Sequence, residues 1–347
     1  MTVRYQTLQF QLLGPVAVHT GDGRHIEVGE RMHRLLLAIL LAAGGRPAGT
    51  DCLTAALWDD APPTGAAARI HAHARDLRAH LAAAGPAGKG LLPRNDGAGY
   101  RITIPREAVG AHRFGDDVAA GQRALAGGDP QAGVRLLRRA LALWHTGGGH
   151  GAGVEVPEPV ADLKGLWAED YRRDLLAEYQ AAWQLCLTTE VALGRHAPLI
   201  PELRALTRAR PFDENAAATL MRACYRAGRQ GEAMTAYQQL RDRLAEEYGT
   251  PPCPQLIRLY DQILHHDPAL DTPSPPNGAE MPQHPNPAAP DQAGPRTAEG
   301  GARQCPCLSR RYLRAPCRAR PHDRPRLPTR YRAGRCPGRR SARRRAG

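Results

Sequence analysis

With 347 residues the chain has room for two or three domains with sizeable cores, and its 47 basic against 34 acidic residues leave a net charge of +13. That charge is uneven: residues 301–347 hold 16 Arg against one acidic residue, Asp323, for +15, while residues 1–110 carry +3 and residues 111–300 carry −5. The basic pI therefore belongs to the tail and gives no ground by itself for nucleic-acid binding by the folded part.

Residues 8–28 alternate apolar and polar positions around turn signals, LQFQLLGPVAVH, then Gly21-Asp22-Gly23, then RHIEVG, and predict short antiparallel strands. Met32, Leu35, Leu36, Ile39 and Leu40 form a helical stripe that Gly44-Gly45 ends. A second helix, capped by Thr50 or Asp51, runs through Leu53, Leu57 and Trp58 to Pro62-Pro63. The third is RIHAHARDLRAHL, residues 69–81, with three His and three Arg in 13 residues. At about 100° per residue, Ile70, Ala74, Leu77 and Leu81 fall within roughly 60° of one another and predict a core face. His71 and His73 lie about 200° apart and cannot share one metal on a straight helix. His71, Arg75 and Arg78 line one edge of the outer face, and Arg69, His73 and His80 the other. Ala72 and Ala79 lie between them, small enough to let a backbone approach closely. Such a face is either solvated or laid against nucleic acid. LLPRNDGAGYRITIP then predicts a hairpin, with Asp96-Gly97 in the turn and Tyr100, Ile102 and Ile104 alternating on the return strand.

Strands, three helices and a hairpin are the order of a winged helix-turn-helix, whose third helix enters the major groove while the wing reaches the neighbouring backbone or minor groove. The residues also resemble the OmpR/PhoB DNA-binding domain, whose third helix has the pattern V-x-x-H-I-x-x-L-R-x-x-L. Ile70, His73, Ala74, Leu77, Arg78 and Leu81 stand at those places, and GAGYRI is similar to the G-x-G-Y wing strand. That family often has a basic residue before the first wing glycine; Asp96 stands there in this chain, which shifts the expected contact to Arg94. The DNA-binding residues expected are thus Arg69, His71, Ala72, His73, Arg75 and Arg78 on the helix and Arg94, Gly97 and Tyr100 on the wing.

From about residue 111 the pattern is helical throughout. Asp129-Pro130 is a cap with a first-turn proline, and Val134, Leu137, Leu141 and Trp144 repeat on one face. Further on, two helices flank Ala227-Gly228-Arg229, with Leu220, Cys224 and Tyr225 on the first and Ala233, Tyr237, Leu240 and Leu244 on the second. The spacing resembles a tetratricopeptide hairpin, and these positions are expected to be core. Cys52, Cys186, Cys224 and Cys253 are scattered without paired spacing, as reduced thiols would be.

The two halves together, over about residues 8–267, resemble the Streptomyces antibiotic regulatory protein family. The stretches that carry the resemblance are LLGPVAVHTGDGR, LTAALWDDAPP, the third helix, GAGYRI and YRAGRQGEAMTAYQQLRDRLAEEYGTPPCPQL. It implies a mainly α fold: an OmpR/PhoB-type winged-helix DNA-binding domain (α+β) over 8–106, then an all-α, tetratricopeptide-like bacterial transcriptional activator domain over 111–267. A Pro-rich linker over 268–300 and an Arg-rich disordered tail over 301–347 follow from composition. It also implies a pathway-specific activator that binds direct repeats in double-stranded DNA upstream of secondary-metabolite (antibiotic) genes and recruits RNA polymerase, with a homodimer on DNA left open.

GPAGKG at 85–90 has Gly90 where a phosphate-binding loop needs Ser or Thr, and nucleophile-and-base motifs are missing, so neither an enzyme nor a cofactor is expected. Cys305, Cys307, Cys317, His322 and Cys336 lack zinc-knuckle spacing, so no metal is expected either. The tail can hold phosphates through charge alone, or be a frame-shifted remnant of a longer protein. The start of the chain lacks the pattern of a secretory signal, and the longest apolar run, Leu35–Ala43, has nine residues against the ~20 that span a bilayer, so a cytoplasmic protein is expected. The rival functions are a helical-repeat protein-interaction scaffold and a truncated remnant of a larger ATPase-type regulator.

Overall fold

The computed structural model describes residues 8–83, 93–95, 97–144 and 156–270. These lie in one compact unit spanning Met1–Arg314. Asp96, the 85–90 stretch, the tail and all but the first three residues of the expected linker fall outside the described residues.

Strands β1 (Gln9–Gln11), β2 (Ala17–His19) and β3 (His25–Ile26) form an antiparallel sheet in that order. Val18 pairs with Phe10 on one side and Ile26 on the other, and all three are buried, so the period-2 alternation places one face on the core. The turn at Gly21-Asp22-Gly23 closes through the Thr20 N–H, which donates to the Arg24 carbonyl at 2.9 Å.

Helix α1 (Arg31–Ala42) follows, and its burial is wider than the predicted stripe: Leu37, Ala38 and Leu41 are buried as well as Leu35, Leu36, Ile39 and Leu40. A helix apolar on all sides is one enclosed on all sides. Helix α2 (Thr50–Trp58) starts from Gly49, not from the expected Thr50 or Asp51 cap. The reason is tertiary: Ala48 exchanges backbone hydrogen bonds of 2.8 and 2.9 Å with Tyr100, which holds the chain extended up to the helix. Helix α3 (Ala66–Ala83) and the wing, β4 (Arg94–Asn95) with β5 (Tyr100–Arg101), complete the winged helix-turn-helix order. The return strand is shorter than predicted, but Ile102 is buried and Ile104 packs on the core.

The rest is helical: α4 (Gly110–Ala126), α5 (Pro130–Ala142), α6 (Leu166–Ala192), α7 (Ile200–Ala209), α8 (Glu214–Arg226), α9 (Gln230–Tyr248) and α10 (Pro254–Leu264). The Asp129 carboxylate caps α5 by accepting from the Ala132 N–H at 2.8 Å. Val134, Leu137, Leu141 and Trp144 are buried, with Trp144 edge-to-face on Phe114 at 5.4 Å. Leu220, Cys224, Ala233, Tyr237, Leu240 and Leu244 are buried around the Ala227–Arg229 turn. No helix among the described residues is long and apolar enough to cross a membrane.

The described residues have two apolar clusters, and the first crosses the boundary between the expected domains while the second lies within the helical one. The first runs from the sheet through α1–α3 into α4, α5 and the first part of α6; the second takes the end of α6 and α7–α10. Polar contacts reinforce the first: Asp162 accepts from Arg34 Nε at 2.6 Å and from the Val16 N–H at 2.8 Å, and Asp59 accepts from the Leu166 N–H at 3.2 Å. Arg138 of α5 bonds to Glu190 of α6 and to Glu202 of α7, tying the two clusters together. Cys186 and Cys224 are free and buried and Cys253 is free, but Cys52 is disulfide-bonded, which corrects the reduced-thiol expectation there.

Candidate nucleic-acid interface

Ile70, Ala74, Leu77 and Leu81 have no exposed surface, so the predicted stripe of α3 is its inner face. The opposite side carries Arg69, His71, Arg75 and Ala79, exposed, with Ala72 half-buried between them. Arg75 is open to solvent: its side chain is 74% exposed and its Nε donates to Asp76 at 2.9 Å. That bond is the main reason the Asp76 carboxyl sits below its ordinary pKa.

Other expected residues are engaged elsewhere. His73 turns toward α1, where His33 lies edge-to-face at 5.2 Å, and His80 meets the same ring at 5.6 Å. Burial, then the neighbouring His33, lowers the His73 pKa and so favours the neutral ring. The outer edge expected to hold Arg69, His73 and His80 is thus Arg69 alone, because the two imidazoles fill the α1–α3 seam. Arg78 is half-buried and its Nε donates to the Pro93 carbonyl at 2.7 Å, which pins the entry to β4. Tyr100 is 1% exposed and its hydroxyl is hydrogen-bonded to His71 Nδ1, so it braces α3 against the wing from inside and has no surface to offer DNA.

Gly97 is exposed at the wing turn, with φ +85°, and its N–H donates to Asn95 Oδ1 at 3.1 Å. Gly99 is different: at φ +138° a Cβ would lie 2.3 Å from the Ala48 carbonyl oxygen, so only glycine permits the Ala48–Tyr100 pairing. The ladder sets Arg94 opposite Arg101, a wing arginine that the motif alone did not nominate although it stands inside the GAGYRI stretch, four residues after Gly97. His33 was also missed, since nothing local to α1 indicates that a ring 40 residues away will meet it. No group of three or more His, Cys, Asp or Glu among the described residues could hold a metal ion.

An exposed row of donors and small residues, rigidly backed and adjoining an arginine-bearing hairpin, suits a phosphate-lined groove. Residues 109–264 match the family described as the bacterial transcriptional activator domain. The chain is 33% identical over 261 residues to the transcriptional regulatory protein EmbR of Mycobacterium tuberculosis, covering 75% of this chain and 64% of that protein, just under two thirds of its length. It is 30% identical over 283 residues to the regulatory protein DnrI of Streptomyces peucetius, covering 79% of this chain and 97% of DnrI. The solved structure of M. tuberculosis EmbR in complex with low affinity phosphopeptide aligns with a TM-score of 0.67 at 31% identity, over 77% of this chain and 68% of that one.

Proposed function

Because the chain belongs to the Streptomyces antibiotic regulatory protein family, whose members are transcriptional regulators, we propose that it is a sequence-specific activator of a secondary-metabolite pathway. In this reading residues 8–106 bind direct repeats in double-stranded DNA upstream of the promoter, and residues 111–267 help to recruit RNA polymerase. The observation that carries it is the outward row Arg69, Ala72, Arg75 and Ala79 on a helix whose other face has no exposure. Alanines at that row let the helix backbone sink into the major groove, and the flanking guanidiniums are long enough to reach base edges and phosphates. In this reading the wing's basic residues are Arg94 and Arg101, paired across the ladder, and Gly97 keeps the turn free of side-chain bulk.

The test is a footprint and gel shift on DNA from upstream of the neighbouring biosynthetic operon, with and without specific competitor. Arg75→Ala is expected to weaken specific binding by about 1–3 kcal/mol without lowering the melting temperature, because the side chain contacts nothing in the core. An unchanged footprint in that variant would remove α3 from the role of reader.

A further inference from the structure

The helical half carries an open groove of about 530 Å³ between α7, α8 and α9. Its floor is apolar, with Ala217 and Leu220 of α8 and Ala236 and Leu240 of α9. Its sides are basic, with Arg204 and Arg208 on α7, Arg210 after it and Arg243 on α9. Two carboxylates also line it, but both are taken: Glu232 pairs with Arg204, and Asp213 pairs with Arg210 at 2.9 Å. Arg208 and Arg243 are exposed and form no ion pair among the described residues, so the groove keeps two uncompensated positive charges on opposite sides. At its end the chain exposes two large apolar rings, Phe212 at 38% and Tyr248 at 59%, packed edge-to-face at 5.0 Å. Phe212 stands between Pro211 and Asp213, both part of the lining.

An apolar floor between separated cations matches a segment that alternates acidic and apolar side chains. The arginine-rich residues 301–347, at +15, have the wrong sign to fill it. A nucleic-acid strand fits less well, because its unbroken row of phosphates would pass the Asp213 and Glu232 carboxylates, and bases would find few hydrogen-bonding partners on an alanine and leucine floor. We propose that this groove is a docking site for an acidic peptide segment of a partner protein, with carboxylates on Arg208 and Arg243 and an apolar side chain on the Leu220–Leu240 floor. The site is independent of whether α3 reads DNA.

The full chain is titrated, by fluorescence anisotropy, into a fluorescein-labelled twelve-residue peptide of alternating glutamate and leucine, beside its lysine-for-glutamate counterpart and an unlabelled single-stranded oligonucleotide as competitor. Saturable binding of the glutamate peptide is expected. It should weaken about tenfold or more in Arg208→Gln/Arg243→Gln, where two charge-assisted hydrogen bonds are lost, and the preference should pass to the lysine peptide in Arg208→Glu/Arg243→Glu. Hydrogen exchange on the unaltered chain should show new protection within residues 200–243 when the glutamate peptide is added, a readout that does not depend on how the variants fold. Absence of saturable binding, equal affinity in the Gln variant, protection confined to other helices, or displacement by the oligonucleotide at peptide-like concentrations would each overturn the proposal.

Discussion

At Gly99 and Gly97 the same residue type does two different jobs. An alanine Cβ at 99 would enter the Ala48 carbonyl and force apart a bridge whose two hydrogen bonds hold the wing to the start of α2, whereas at 97 nothing lies within 4 Å. Gly99→Ala should therefore destabilise by about 1–3 kcal/mol, and Gly97→Ala by about 1 kcal/mol from the positive φ alone; equal melting temperatures for the two variants would refute the steric account. His73 gives a pH dependence of definite sign. Its folded pKa lies below the ordinary histidine value, so as pH falls through about 6.5 the unfolded chain takes up the proton first. Stability is then lost toward acid and is fully present above that value. Those facing it are His33 and Glu30 from the α1 end and Asp76 and Arg69 from its own helix; the two carboxylates oppose the shift and set its limit. The melting temperature should drop between pH 7.5 and 5.5, and His73→Gln should reduce the drop. His196, also lowered by burial and by Arg226, accounts for part of what remains.

On the element scale, α3 shows what periodicity conveys and what it leaves out. Spacing alone gave its inner face, since burial of Ile70, Ala74, Leu77 and Leu81 needs only a 3.6-residue period and a core to meet. The outer face was legible only in part, because position on a helical wheel does not say which neighbour a long side chain will find. Arg75 meets solvent, while Arg78, three residues on, meets the Pro93 carbonyl. The two arginines should consequently separate in experiment. Arg78→Ala is expected to loosen the wing, raising hydrogen exchange at 93–101 and lowering the melting temperature by an amount that fits about 1–2 kcal/mol; Arg75→Ala should do neither and act on DNA affinity alone. If both variants melt as the unaltered chain does, the hydrogen bond to Pro93 contributes nothing to holding the wing. Tyr100 illustrates the same limit: a strand period puts it on the inner face, yet the motif nominated it for contact, and the inner face won because its hydroxyl has a partner in His71.

For the whole molecule, an N-terminal group of strands and three helices and a helical remainder were readable from the change of period near residue 111, but not how firmly the two would be joined. That information lies in contacts between residues more than a hundred positions apart, which no window of local pattern contains. Asp162 is the clearest case. It follows α5 by some twenty residues, yet its two oxygens hold Arg34 Nε on α1 and the Val16 N–H beside β2, at 2.6 and 2.8 Å. Around it the Val160 N–H donates to the Leu12 carbonyl at 3.2 Å, and the apolar cluster continues from Phe10 through Phe114 to Tyr179 without a break. A joint of this kind makes α1–α3 and the helices α4–α6 one cooperative body, so that force or a partner acting on α4–α6 is felt by the N-terminal strands and helices. Asp162→Ala removes both bonds and leaves a half-buried guanidinium without its carboxylate, a loss of about 2 kcal/mol. The unaltered chain should melt residues 8–144 in a single transition, and the variant should lose hydrogen-exchange protection around Leu12–Arg34 and Val160–Leu166 while α7–α10, in the other cluster, keep theirs. Protection lost equally in α7–α10 would mean the second cluster depends on the same joint, and an unchanged exchange pattern at both ends of it would mean that burial alone, without Asp162, holds the two halves together.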